Sequence, residues 1–273
     1  MEGLDLCRQH LHQELVDRGG LKPVPIAADL AQVDGILRGR AVRMTSRRYT
    51  GPCFAALTIA CITTPTEPTE APSGLADAPS RTAGAPEQAA SVSLTVVGLP
   101  WPGSGLPILG MDLIALRGSL SLVAIDLAPT DHDLFQARCA SPLLRLQNRV
   151  AEAVVPRRPP AFTQGTFSSL ALIAAARPGS EAVVFDAVLR FIDEAAELAC
   201  SALPEPPDLY AATQRDEAAI ARWLAAEQQN RREHNALAQI FGEPFAERYL
   251  HGFLFVPPPP LTRSGVADER AAR

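Results

Sequence analysis

The chain has 273 residues, 30 acidic and 25 basic side chains, a net charge of −5 and a hydrophobic share of 47%. That is enough apolar material for a sizeable core, and the acidic balance excludes a general nucleic-acid binder, which needs a basic surface to compete for phosphate. No apolar run reaches the roughly 18 residues of a membrane span.

The start, Met1-Glu2-Gly3-Leu4-Asp5, is acidic where a signal or transit peptide would be basic or hydroxylated, so the expected compartment is cytoplasmic. Leu4, Cys7, Leu11 and Leu15 recur at helical spacing and Gly19-Gly20 stops the run, predicting an amphipathic helix over 4–18. Residues 33–45 and 53–62 then read as antiparallel strands. In the second, Cys53, Ala55, Leu57, Ile59 and Cys61 share one face and Phe54, Ala56, Thr58 and Ala60 the other. Residues 63–90 are rich in Pro, Ala, Thr, Ser and Glu with almost nothing large and apolar, which predicts a disordered insert rather than a domain boundary. Strand texture returns as Val92, Leu94 and Val96 alternate with Ser91, Ser93 and Thr95. A loop at 100–105 leads to runs at 106–116 and 119–127. About five strands in close succession predict a meandering antiparallel sheet.

The second half reads as helical. Residues 180–201 place Val184, Val188, Phe191, Ala195 and Leu198 on one stripe with Ser180 as N-cap. Residues 208–229, carrying Ile220, Trp223 and Leu224, form the next helix. Two shorter ones follow at 234–241 and 244–255, separated by Gly242. From Pro257 to 273 a Pro-rich flexible tail is expected. The order of elements gives an α+β layered sandwich in a single domain, 1–256.

Cys7, Cys53, Cys61, Cys139 and Cys200 are odd in number and never form C-x-x-C, so they read as buried small hydrophobes. His10 and His12 point apart on a helix and His132, His234 and His251 are scattered, so no metal site is expected. The one lysine, Lys22, among many arginines reflects codon usage, and Asp186, Asp193, Glu194 and Glu197 read as a solvated helix face.

The segment with chemical content is Pro107-Ile108-Leu109-Gly110-Met111-Asp112-Leu113-Ile114, followed by Ser121-Leu122-Val123-Ala124-Ile125-Asp126-Leu127-Ala128-Pro129-Thr130. Asp112 stands inside an apolar strand, where a carboxylate is costly to bury unless protonated or hydrogen-bonded. This pair of segments resembles the ferredoxin-dependent bilin reductases, most closely the phycocyanobilin branch. The resemblance extends to Leu21-Lys22-Pro23, Val33-Asp34-Gly35, Arg48-Tyr49 with Pro52 and Phe54, and Phe241-Gly242-Glu243-Pro244-Phe245 through Leu250.

The resemblance implies a three-layer α/β/α sandwich with a central antiparallel sheet, holding the linear tetrapyrrole biliverdin between sheet and C-terminal helices. It implies a monomer without bound flavin, nicotinamide or metal. Reduced ferredoxin would supply single electrons, and acidic side chains would supply protons through bilin radicals. In a photosynthetic eukaryote the compartment would be the plastid stroma. Asp112 falls on the family's proton-donating aspartate, and Thr95 would order a water or contact the pigment. Ser121, Arg232 and one of Arg157 and Arg158 match propionate-binding positions, and Asn230 matches a helix-side asparagine. Arg38, Arg40, Arg43, Arg47 and Arg48 are candidates for docking an acidic ferredoxin. Asp126 reads as a turn-former before Pro129.

The chain departs from the family pattern at Ala60, where a glutamate is expected, at Thr95, where a histidine or asparagine is, and at Arg231, which replaces an aspartate. A tryptophan expected after Pro159-Pro160 is also missing, with Phe162 nearest. The resulting expectation is reduction of biliverdin to a phycobilin, either phycocyanobilin-type or a two-electron product. The alternative is a bilin-binding protein that keeps the pocket without turnover.

Overall fold

The computed structural model describes residues 2–64, 90–116, 118–201 and 207–257. The first helix, α1 (Glu2–Leu11), continues as a π-helical turn over His12–Asp17, and its Leu4, Cys7, Leu11 and Leu15 are buried as their spacing predicts. Strand β1 (Lys22–Val24) and one turn of helix, α2 (Ala28–Ala31), follow. The run expected as one strand over 33–45 is instead part of a hairpin, β2 (Gln32–Leu37) and β3 (Arg40–Thr50), turned by Arg38 and Gly39 at φ 53 and 79. Two consecutive positive φ values suit the twist of a two-residue hairpin. With Arg in the first position, the usual Asn-Gly or Asp-Gly signal is absent.

Strands β4 (Phe54–Thr64) and β5 (Ala90–Pro100) pair out to Thr64↔Ala90. Positions 63, 64 and 90 are therefore strand, and the rest of the expected insert, 65–89, lies outside the described residues, as does the tail from 258. Strands β6 (Ile108–Leu116) and β7 (Ser119–Ala128) complete the meander. Residues 130–176 carry no strand signal in the sequence, yet they supply more than helix. One turn, α3 (His132–Leu134), leads through Phe135–Cys139 into α4 (Ala140–Val150), then β8 (Val154–Pro156) and β9 (Leu172–Ala176). Four helices close the chain: α5 (Glu181–Cys200), α6 (Leu209–Glu227), α7 (Arg231–Phe241) and α8 (Glu243–Tyr249), the last extended by Leu250–Leu254. The described sheet has nine strands rather than about five, ordered β1-β3-β4-β5-β6-β7-β9-β8 with β2 also on β3, and every pairing is antiparallel.

Strand alternation sorts the core into two. Leu57, Leu94, Val96, Leu113, Val123 and Ile125 face α1, α4 and α5, meeting Val184, Val188 and Phe191. Val42, Met44, Ala60, Ile62, Val97, Ile108 and Ala128 face α6 to α8, meeting Trp223, Leu237, Phe245 and Tyr249. The fold is thus α+β, an α/β/α sandwich of three layers, as expected. Two local expectations fail. Ser180 occupies the N-cap of α5 without a side-chain cap bond, and Cys200 is exposed although the other four cysteines are buried. Among the described residues no helix is long and apolar enough to cross a membrane.

The C-terminal layer is tied down by rings. Phe241, Phe245, Tyr249 and Phe253 follow one another at centroid spacings of 5.3 Å. The Tyr249 hydroxyl meets Ser46 Oγ at 3.0 Å, and the Arg48 guanidinium sits 4.3 Å above the Phe253 ring while donating to the Phe253 carbonyl and to Thr58 Oγ1. At the C-terminal end of α7, β2 comes so close that a Cβ on Gly35 would lie 2.5 Å from both the Ile240 carbonyl oxygen and the Phe241 ring. Gly35→Ala should therefore push α7 off the hairpin and lower stability by about 1–3 kcal/mol, read as a lower urea midpoint with unchanged slope.

Candidate functional site

Register places Ser46, Ala60, Thr95, Asp112, Ala124 and Ile173 in one row across β3, β4, β5, β6, β7 and β9, beneath the α6–α8 layer. Thr95 Oγ1 donates to Asp112 Oδ1 at 2.9 Å. Enclosure between sheet and helices pushes the Asp112 carboxyl up to about 6, against the lowering effect of the Thr95 bond. The resemblance names both residues separately, and strand register is what brings the two side chains together.

Asp126 is not a turn residue. It lies within β7, opposite Gly110 and 3% exposed, accepting the Ser168 N–H at 2.9 Å and the Ser168 hydroxyl. Burial pushes it up to about 6 despite those bonds. Trp223 packs over Gly110, at a distance where even a Cβ would stand in ordinary contact, 3.7 Å from the indole. Phe167 stacks on the indole at 6.5 Å and Phe255 meets it edge-on at 5.9 Å.

Trp223 fixes the rotation of α6, and Glu227, one turn later on the stripe of Ile220, Trp223 and Leu224, is turned inward with 8% exposure. Burial first, then the Asp112 and Asp126 charges, push Glu227 up to about 8, against a hydrogen bond from Asn230. The chain then breaks and Asn230 caps α7. Its Oδ1 accepts the Glu233 N–H at 3.4 Å and its Nδ2 donates to Glu233 Oε2 at 3.3 Å. Glu233 borders a cavity of about 30 Å³ together with Met44, Ala60, Ser93, Thr95 and Tyr249. Burial, then the Asp112 and Glu227 charges, hold Glu233 well above the usual carboxylate range.

Sequence reasoning missed Glu227 and Glu233. Each carried a signal: Glu227 falls on an otherwise apolar helical stripe, and Asn230-Arg231-Arg232-Glu233 has the spacing of a capping box. The other candidates lie further out. Ser121 is the extra residue of a bulge opposite Ile114 and Ala115, its Oγ donating to the Ile114 carbonyl at 3.0 Å. Arg231 and Arg232 are exposed on the first turn of α7. Arg157 and Arg158 are exposed just past β8, and the Arg157 N–H bonds the Ile173 carbonyl, which continues the Asp112 row to the sheet edge. Of the arginines suggested for docking, Arg38, Arg40 and Arg47 are exposed, Arg43 is paired with Asp34, and Arg48 points inward with its charge disfavoured by burial. Among the described residues His10, Glu14 and Asp193 bring ligand-type atoms within 4.8 Å of one another. They are engaged already, His10 with Asp193 at 2.6 Å and Glu14 with Arg18 at 2.9 Å.

The family model for ferredoxin-dependent bilin reductase matches residues 85–256, more than half of the chain. The chain belongs to the ferredoxin-dependent bilin reductases. A phycocyanobilin:ferredoxin oxidoreductase from Synechococcus sp. (strain CC9902) is 26% identical over 175 residues, covering 61% of this chain and 66% of that protein, just under two thirds of the relative's length. The crystal structure of phytochromobilin synthase from tomato, in complex with biliverdin, superposes with a TM-score of 0.65 at 15% identity over 91% of this chain and 82% of that one. The chain therefore shares the sandwich fold of that structure, and its cavity bordered by Thr95 and Glu233 lies between the sheet and the C-terminal helices.

Its stability should depend on pH in a definite direction. Unfolded Asp and Glu titrate near 3.9 and 4.3, whereas folded Asp112 and Asp126 sit at about 6 and Glu227 at about 8. The folded state binds more protons in that window, so these groups stabilise it below their unfolded values and the contribution is lost as pH rises through 6 and 8. The urea midpoint should fall between about pH 5 and about pH 8.5, and Glu227→Gln should flatten the upper part of that fall.

Proposed function

We propose that this chain reduces biliverdin to a phycobilin with electrons from ferredoxin, and that Asp112 protonates the pigment as they arrive one at a time through bilin radicals. The observation that carries this reading is the Asp112 carboxyl. It stands mid-sheet, faces the helices, is held by Thr95, and titrates at about 6. A carboxyl there can hold a proton near neutral pH and release it once reduction makes the pigment more basic. Thr95 engages Oδ1 and leaves Oδ2 to carry the proton.

The remaining candidates fit as positioning groups. Ser121 and Arg232 hold propionates, Arg157 or Arg158 adds a guanidinium fork at the sheet edge, and Asn230 orders the helical side. Reduced ferredoxin, an acidic partner in this reading, docks on Arg38, Arg40 and Arg47. The catalytic unit is a monomer without a bound cofactor. It works in the cytoplasm, or in the stroma of a plastid. A cavity of about 30 Å³ is far below the ~300 Å³ or more of a small-molecule site, so pigment entry requires the α6–α8 layer to lift from the row of Ala60, Thr95 and Asp112. Ala60 and Thr95 remove two acid-base groups from that row, which favours a two-electron product over a phycocyanobilin-type one. The same two positions support a second reading, a bilin-binding protein without turnover.

Anaerobic incubation with biliverdin, ferredoxin and a ferredoxin reductase should shift the pigment's absorption, and chromatography of the product assigns the bond reduced. Asp112→Asn should slow the reaction by about 10²–10⁴-fold and accumulate a radical. An unchanged spectrum with the pigment tightly bound would leave the non-catalytic reading standing.

A further inference from the structure

Two buried-side carboxyls have no part in the reaction as described so far, and both hang from the helical layer opposite Asp112. Glu227 closes α6 and Glu233 lies in the first turn of α7, with the Asn230 amide between them. Only Glu233 borders the cavity that Thr95 also borders. Arg231 and Arg232, its neighbours on the same turn, are exposed, whereas Glu233 shares the inward stripe of Leu237. The cap bond from its own N–H and the amide donation from Asn230 Nδ2 fix the carboxyl at the cavity rim.

We propose that Glu233, clamped by Asn230, is a second proton donor to the bilin, acting from the helical side while Asp112 acts from the sheet side. The inference rests on the bilin-reductase reading and deepens it. One two-electron reduction of a pigment double bond consumes two electrons, one from each of two reduced ferredoxins, and two protons. Asp112 and Glu233 each break one O–H bond, a new bond to hydrogen forms on the pigment in each case, and both carboxylates are reprotonated from water between turnovers. A single enclosed carboxyl would have to be reprotonated in mid-reaction, with the pigment covering it.

The surroundings order the two events. Glu233 is faced by Thr95 from β5, Asp112 from β6, Glu227 from α6 and Tyr249 from α8, with Arg48 on β3 beyond Tyr249. Ionisation of Asp112 disfavours ionisation of Glu233, so the second proton is retained until the next electron raises the pigment's basicity again.

The test compares wild type with Glu233→Gln and Glu233→Asp, using biliverdin under anaerobic conditions with stoichiometric reduced ferredoxin. Glu233→Gln should bind biliverdin within about threefold of wild type and form the first radical normally, then slow its decay by about 100-fold or more and lose the alkaline limb of the pH–rate profile. Glu233→Asp should recover part of the rate. In the infrared, the biliverdin-bound wild type at neutral pH should show a protonated-carboxyl band that is missing from Glu233→Gln. Wild-type radical decay and an unaltered pH profile in Glu233→Gln, with an active wild type, overturn the inference alone. A wild type that binds biliverdin without ferredoxin-driven reduction overturns both it and the reading beneath it.

Discussion

Four carboxyls, Asp112, Asp126, Glu227 and Glu233, crowd the space between the sheet and the α6–α8 layer, and they cannot all be ionised there. Desolvation penalises each charge and every neighbour penalises the next, so protons stay on the protein at a pH where surface acids have long lost theirs. The surrounding architecture maintains this condition. The period-two alternation of β6 and β7 points Asp112 and Asp126 at the helices. Trp223, held between Phe167 and Phe255 above the sheet, sets the rotation that turns Glu227 inward. The acids bring little stability of their own. They are held in place by apolar packing on every side.

The two helical layers differ in character. Against α1, α4 and α5 the sheet presents a dry face, Leu57, Leu94, Leu113 and Val123, which forms a permanent core. Against α6 to α8 it presents Ser46, Thr58, Ser93, Thr95, Asp112 and Asp126 among apolar neighbours. That second layer is secured at its far end by the ring ladder from Phe241 to Phe253 and by Arg48, while its near end is interrupted between Glu227 and Arg231. An interruption there exposes free backbone groups that a continuous helix would have satisfied internally, and Asn230 supplies the cap.

Much of this was legible in the residues. The stripes of α1 and α5, the alternation in β4 to β7 and the lone Asp112 in an apolar run each stated their own role, because burial of one face imposes a period on the sequence. The pairing of Thr95 with Asp112 was not legible, since register between strands depends on turns and bulges rather than on either strand's composition. Strands β8 and β9 are three and five residues long and too short to show alternation. Asp126 lost to its context: two residues ahead of Ala128-Pro129 it reads as a turn, but Ser168, distant in sequence, satisfies it inside the strand. Glu227 and Glu233 are not marked by residue type, since a glutamate on a helix is usually solvated.

The close pairing of Thr64 with Ala90 has an evolutionary corollary. The chain leaves the β4–β5 ladder and rejoins it at the same rung, so the 25 intervening positions hang from a point where a two-residue turn would serve as well. Closing a longer connection at such a point adds only a logarithmic entropy term. Lineages can therefore lengthen, shorten or replace that stretch while the row containing Ala60, Thr95 and Asp112 is left undisturbed, which makes the hairpin end a natural place for this scaffold to acquire lineage-specific sequence.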